Sequence, residues 1–194
     1  MRAFVAIDLP AEVRAELTHV QEQLMSQIDD GVRWVDPSGV HLTLKFLGEV
    51  APGRVKPIVQ ALTDVSNSAG SFEVIVQHLG AFPSAIRPRV LWVGIGGDLS
   101  ELAKLHSRVD DALAPLGFPP EGRGYSPHLT LGRVRDGVVR GLQERIGRAV
   151  EAVAVVPLVM RVHGMSLMES QLTPRGAVYS KVAIMDFPPL AGKP

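Results

Sequence analysis

His41-Leu-Thr-Leu44 and His128-Leu-Thr-Leu131 are one tetrapeptide written twice, 87 residues apart in a chain of 194. In an extended strand residues i and i+2 share a face, so His41 and Thr43 point one way while Leu42 and Leu44 point the other. The leucines hold each strand to a core, and the polar pair is presented outward. The surroundings repeat in kind. Upstream of His41, a strand at Ala3–Ile7 gives way past Asp8 and Pro10 to Val13, Leu17, Val20, Leu24 and Ile28 at helical spacing. Upstream of His128, a strand at Val90–Val93 precedes Asp98, a plausible N-cap, and then Leu99, Leu102, Leu105, Val109 and Leu113. Ala6 lies 35 residues before His41, and Trp92 lies 36 before His128.

Each His strand is followed by another helix, first on Val55, Ile58, Val59, Leu62 and Val65, then on Val138, Leu142, Ile146 and Val150. Further strands are expected at Phe72–His78, 153–162, 165–169 and 177–183, with surface connections at Asp29–Gly39, Gly80–Pro88 and Pro115–Pro127. The expected organisation is a single domain over residues 1–194, built from duplicated halves of about 1–85 and 86–185 with a tail at 186–194. A pseudo-two-fold axis between the two lobes would set the His-Thr pairs facing each other across one cleft. Alternating strands and helices ordinarily favour a parallel sheet, but neither Asp8-Leu9-Pro10 nor Gly94-Ile95-Gly96-Gly97-Asp98 carries a phosphate-binding glycine loop. Antiparallel or mixed sheets stay open at this point.

Composition narrows the chemistry. Hydrophobic residues make up 46% of the chain and charged ones 21%, as in a globular protein. Twenty basic and twenty acidic side chains give zero net charge, unlike a protein that coats long nucleic acid. The absence of cysteine excludes disulfides, thiolate nucleophiles and zinc–thiolate sites. The apolar run Ala3–Ile7 is too short for a signal-peptide core, and no stretch approaches the roughly 18 apolar residues of a membrane span, so a cytoplasmic protein is expected. Charge is segregated: residues 122–148 hold six arginines against Asp136 and Glu144, while the first thirty hold two arginines against six acids. Basic character thus gathers around the second motif, as suits a short anionic ligand, although a solvated helix face would explain much of it.

One strand with a half-exposed histidine is ordinary. Its repetition at equivalent positions, in halves that otherwise differ, points to paired imidazoles and hydroxyls. Imidazole ionises near pH 6.5, so two histidines can serve together as base and acid at neutral pH, with the hydroxyls of Thr43 and Thr130 on the same faces.

The stretches Arg2-Ala-Phe-Val-Ala-Ile-Asp-Leu-Pro10, Trp34-Val-Asp-Pro37, His41-Leu-Thr-Leu-Lys-Phe-Leu-Gly48, Pro127-His-Leu-Thr-Leu-Gly-Arg133 and Ser170-x-Leu-x-Pro-x-Gly-x-x-Tyr179 span nearly the whole chain. In order and spacing they resemble the two-histidine (2H) phosphoesterases, and within them the bacterial RNA 2′,3′-cyclic phosphodiesterases, also called 2′-5′ RNA ligases. The resemblance implies an α+β fold of two pseudo-symmetric lobes, each an antiparallel sheet backed by helices, with the site in the cleft between. It implies hydrolysis of 2′,3′-cyclic phosphate termini to 2′-phosphates, with His41 as proton donor to the leaving O3′ and His128 as proton acceptor from water. The implied partners are RNA ends or small nucleotides, met by a monomer with no cofactor and no membrane association. It also implies substrate contacts from Phe46 and Arg133, each five positions after its histidine. Strict alternation turns those two side chains to the opposite face, so they need a bulge or a strand end. A core role for Phe46 and a surface ion pair for Arg133 stay open.

Other readings are weaker. Metal ligation by both histidines with Asp36 or Asp136 lacks a recognised ligand spacing. A non-catalytic cleft for a nucleotide end would tolerate loss of one histidine, yet both are present. His19, His78, His106 and His163 have no counterpart in the other half; His163 sits at a strand bend where it could line the cleft. Trp34 and Tyr125, in the loops before the His strands, could stack a base or pack against the body of the protein.

Overall fold

The apolar periodicities fold into the elements they suggest. The computed structural model describes residues 1–122, 124–173 and 176–189; Arg123 of the basic segment, Pro174 of the last quoted motif and residues 190–194 of the expected tail lie outside them. In chain order the first half gives β1 (Arg2–Ile7), α1 (Ala11–Met25), β2 (Val32–Trp34), β3 (Leu42–Glu49), α2 (Pro52–Asn67) and β4 (Phe72–Phe82). The second gives β5 (Val90–Gly96), α3 (Ser100–Leu113), β6 (His128–Val134), α4 (Arg140–Ala152), β7 (Leu158–Val162), β8 (Gly164–Thr173) and β9 (Gly176–Asp186).

Two sheets form, in the orders β3-β1-β8-β9 and β2-β6-β5-β4-β7, and every pairing is antiparallel. A strand, a helix and a second strand in the same sheet would run parallel if the helix alone made the return. Here each half spends an additional traverse in the irregular connection before its His strand, residues 26–41 and 114–127, and that reversal makes the neighbours antiparallel. The first of these connections contains β2, which pairs with β6 in the opposite sheet.

The orders β3-β1-β8-β9 and β6-β5-β4-β7 correspond strand for strand from the His strands outward. β8 fills in one sheet the place that β4 fills in the other, so the lobes are not the halves of the chain. Residue 85 lies in the connection between β4 and β5, which pair from Ile75–Gly96 to Phe82–Val90; the hairpin keeps both in one sheet, and β8 and β9 return to complete the first. β4 also runs through Gly80, where a connection was expected. A Cβ at that glycine would collide with the Trp92 ring, so the residue serves ring-on-strand packing and not a turn. The strand expected over 153–162 begins only at Leu158: residues 153–157 carry no regular structure and end in Pro157, which has no N–H for a ladder. α3 starts one residue later than a cap at Asp98 requires: Leu99 is the N-cap residue, its carbonyl accepting from the Ala103 N–H at 2.8 Å, and Asp98 just before it accepts from the Ser100 backbone N–H at 2.9 Å. No helix among the described residues is long and apolar enough to cross a membrane.

Helices of each half reach the His strand of the other. On α3, Asp110 accepts from Lys45 Nζ of β3 at 2.5 Å, and Lys45 also donates to the Pro119 carbonyl at 2.9 Å. Both charged residues are buried. On α1, buried Gln21 donates to the carbonyls of Val35 at 2.7 Å and Leu131 at 2.8 Å, the latter in β6. Asp110→Ala would strand the Lys45 ammonium in the core and is expected to cost about 3–5 kcal/mol, read from the urea midpoint at constant slope. The double variant Lys45→Met/Asp110→Leu is expected to recover most of that loss.

Candidate active site

The two His strands carry the same defect. β1 pairs with β3 as Ala6 with Thr43 and then Val5 with Lys45, skipping Leu44; β5 pairs with β6 as Trp92 with Thr130 and then Leu91 with Gly132, skipping Leu131. Leu44 and Leu131 are the fourth residues of the repeated tetrapeptides. Each is an extra residue in a β-bulge, and one extra residue turns every later side chain to the other face. Leu44 and Lys45 are accordingly buried in succession, and Phe46 emerges 64% exposed. Phe46 and Arg133 come out on the faces of their histidines, and His41, Thr43, Phe46, Thr130 and Arg133 line two adjoining cavities of about 370 and 330 Å³. His128 lines the second.

Each imidazole is held from behind. His128 Nδ1 lies 2.7 Å from the Ser126 carbonyl, which makes that nitrogen the donor and leaves Nε2 for the cleft. His41 is hydrogen-bonded to the backbone of Gly39, again two residues upstream. Aromatic edges fix the ring planes: Phe4 and Tyr179 stand 5.8 and 5.3 Å from the His41 ring, and Phe82 stands 5.0 Å from that of His128. The Gly39 position is set by close approach, since a Cβ there would lie 3.2 Å from the Tyr179 ring. The loop before His41 is anchored by Arg14, whose guanidinium donates to the carbonyls of Pro37 at 3.0 Å and Ser38 at 2.8 Å. Burial pushes the His41 imidazole below its ordinary pKa; Asp8 and the Gly39 backbone oppose this, while Arg14 and Lys181 add to it.

The remaining candidates have structural or separate places. Tyr125 is largely buried, its hydroxyl donating to the Thr43 carbonyl at 3.1 Å and its ring stacked on His106 at 4.0 Å. It ties the second connection to the first His strand and, with His106, lines the same cavity of about 330 Å³ as both histidines; burial pushes its phenol well above the ordinary value. Trp34 packs against the main core, with its ring over Gly132. His163 lines a different cavity of about 170 Å³ with Asp8, Lys181 and Asp186. Asp36 is used as a cap, accepting from the Ser38 N–H at 2.8 Å and its hydroxyl at 2.6 Å, which holds its carboxyl below the usual range. Asp136 is exposed, 3.6 Å from Arg89. Among the described residues no group of three or more His, Asp or Glu side chains could hold a metal ion.

Charge segregation has a structural use. Arg135 pairs with Asp30 at 2.9 Å and Arg145 with Asp29 at 3.1 Å, so the basic segment is tied to the acidic N-terminal one, and Arg133 is its member on the cavity wall among the described residues. Phe4, Tyr179 and Phe82 were assigned no role by sequence reasoning. Phe4 and Tyr179 stand within the quoted motifs, but which ring meets which histidine follows from strand register alone.

The sequence matches the family described as LigT-like phosphoesterase over residues 7–92 and 97–179. An RNA 2′,3′-cyclic phosphodiesterase of Methanothermobacter thermautotrophicus is 36% identical over 185 residues, covering 95% of this chain and 97% of its own. A protein of the same description from Thermotoga maritima is 32% identical over 179 residues, covering 92% and 91%. Among solved structures, TT0787 of Thermus thermophilus superposes with a TM-score of 0.78 at 26% identity, over 96% of this chain and 98% of that one. E. coli LigT complexed with 3′-AMP superposes with a TM-score of 0.73 at 25% identity, over 96% and 97%.

Gln21→Met keeps the volume on α1 but leaves the buried carbonyls of Val35 and Leu131 without their side-chain donor. A loss of about 1–3 kcal/mol is expected by urea denaturation.

Proposed function

The chain belongs to the LigT-like phosphoesterase family, and from that premise we propose that its cleft hydrolyses RNA 2′,3′-cyclic phosphate ends to 2′-phosphates through His41 and His128. The observation that carries the residue assignment is the shared bulge. It brings a third side chain from each of two related strands onto the face that already carries an imidazole and a hydroxyl, and the six line one cavity.

The reaction needs a water deprotonated on one side of phosphorus while O3′ is protonated on the other, in line. His128, with Nδ1 committed to the Ser126 carbonyl, takes the water proton on Nε2. The new P–O bond forms as the P–O3′ bond breaks, and His41 gives its proton to O3′. The phosphate remains on O2′. Thr43 and Thr130 donate to the non-bridging oxygens, where negative charge accumulates, and the Arg133 guanidinium pairs with the phosphate. Phe46, exposed on the cavity wall, offers its face to a base or ribose. Replacing the water by the 5′-hydroxyl of a second RNA turns the same step into 2′-5′ joining. No step calls on a metal, and the enzyme works as a cytoplasmic monomer on RNA termini or small cyclic nucleotides.

His41→Ala and His128→Ala are each expected to lower kcat on a 2′,3′-cyclic nucleotide by at least about 10²-fold, with EDTA leaving the wild-type rate unchanged. Near-normal turnover by either variant would sink the two-histidine mechanism, and binding without a 2′-phosphate product would make the cleft a nucleotide-binding module. Phe46→Ala and Arg133→Ala are expected to act mainly on KM, Arg133→Ala more strongly because it removes a charged contact to phosphate, as initial-rate kinetics will show.

A further inference from the structure

The two histidines differ in what stands beside them on the neighbouring strand. β5 pairs with β6 through Gly94 opposite His128. β1 pairs with β3 as far as Ile7 opposite Leu42; Asp8 and His41 are the residues that follow this last pair, and the Asp8 charge acts on the His41 imidazole. Asp8 is therefore the counterpart of Gly94, as Ala6 is of Trp92. The second site has no room for a carboxylate, because a Cβ at Gly94 would already stand 3.1 Å from the Gln77 carbonyl and from the Trp92 ring. The first is built to hold one: Asp8 Oδ2 accepts from Ser166 Oγ at 2.8 Å and from Lys181 Nζ at 3.0 Å.

We propose that Asp8, fixed by Ser166 and Lys181, is the positioning residue that favours the proton on His41 against its burial, and that Gly94 in the matching place gives His128 no such carboxylate. The inference rests on the phosphodiesterase reading and adds to it a physical cause for the division of labour between two otherwise equivalent histidines.

The groups around His41 act in both directions, and burial, the largest of them, leaves the imidazole below its ordinary pKa, with Asp8 as the charge that opposes it. Asp8 at the end of β1 and the Gly39 backbone favour the imidazolium; burial, Arg14 from α1 and Lys181 from β9 disfavour it. Tyr179, also from β9, meets the ring in a T-shaped contact, 5.3 Å between centroids. Behind Asp8, the cavity of about 170 Å³ adds Arg161, His163 and Asp186 to the field that Asp8 feels. Lys181 thus moderates Asp8, and the two residues should act in opposite directions.

The test pairs Asp8→Asn, which keeps the shape and a hydrogen bond to Ser166, with Lys181→Met. A proton donor must be protonated, so its titration makes the alkaline limb of the kcat/KM profile; a base must be unprotonated and makes the acidic limb. Asp8→Asn is expected to displace the His41 imidazole titration, followed by NMR in histidine-labelled protein and assigned with His41→Ala, to lower pH. The alkaline limb on a 2′,3′-cyclic nucleotide should move with it. Lys181→Met is expected to displace both to higher pH, and the acidic limb should stay in place in both variants. A His41 titration unmoved by Asp8→Asn overturns the proposal, as does movement of the acidic limb in place of the alkaline one. The NMR titration needs no substrate, so this failure is distinguishable from failure of the phosphodiesterase reading, which would appear as wild-type protein that titrates normally and turns nothing over.

Discussion

One extra residue in each of two strands sets the geometry on which the site depends. Without the bulges at Leu44 and Leu131, alternation would bury Phe46 and Arg133 and leave each histidine with a threonine alone. With them, each strand presents three cleft-facing side chains within six residues, and Leu44 and Leu131 still reach the core. A bulge leaves a ladder group unpaired and needs support from outside the sheet. Around β6 that support is visible: the Leu131 carbonyl accepts from both Gln21 Nε2 and the Val35 N–H, each at 2.8 Å.

That support comes from the other half of the chain, and the same holds for β3, where Lys45 beside the bulge is neutralised by Asp110 of α3. Strand exchange adds to the interlock, since β4 sits in the second sheet while β8 and β9 sit in the first. Neither half could close its own sheet alone. The ion pairs of Asp29 and Asp30 with Arg145 and Arg135 join the same two regions from the surface, though exposed pairs of this kind contribute little energy each. The cleft is thus formed by parts that hold one another, which suits the two-histidine reaction proposed for it, where both groups would have to keep a fixed separation.

Near-symmetry gives the cleft two imidazoles, and the reaction proposed for them needs one as acid and the other as base. The backbone supplies equivalent restraints, a carbonyl two residues upstream and an aromatic edge, so the difference must come from side chains. Asp8 against Gly94 is the difference that the strand register places next to the rings.

Much of this was legible in the linear text. The repeated tetrapeptide, the matching intervals before it and the helical spacing of apolar residues determined the elements, the duplication and the histidine and threonine candidates, because periodicity and local propensity act over a few residues and are written locally. The requirement for a bulge at Phe46 and Arg133 was legible too, as a conflict between alternation and function. Strand direction was left open by periodicity and came from the family resemblance. Tertiary structure alone decided that the halves exchange strands, that Trp34 packs on the core, that Tyr125 ties the second connection to the first His strand, and that His163 faces a separate cavity. It also decided that Phe4, Tyr179 and Asp8 surround one histidine. Those outcomes depend on which strand lies beside which and in what register, and that choice is made by pairing between residues tens of positions apart, where no local pattern records it.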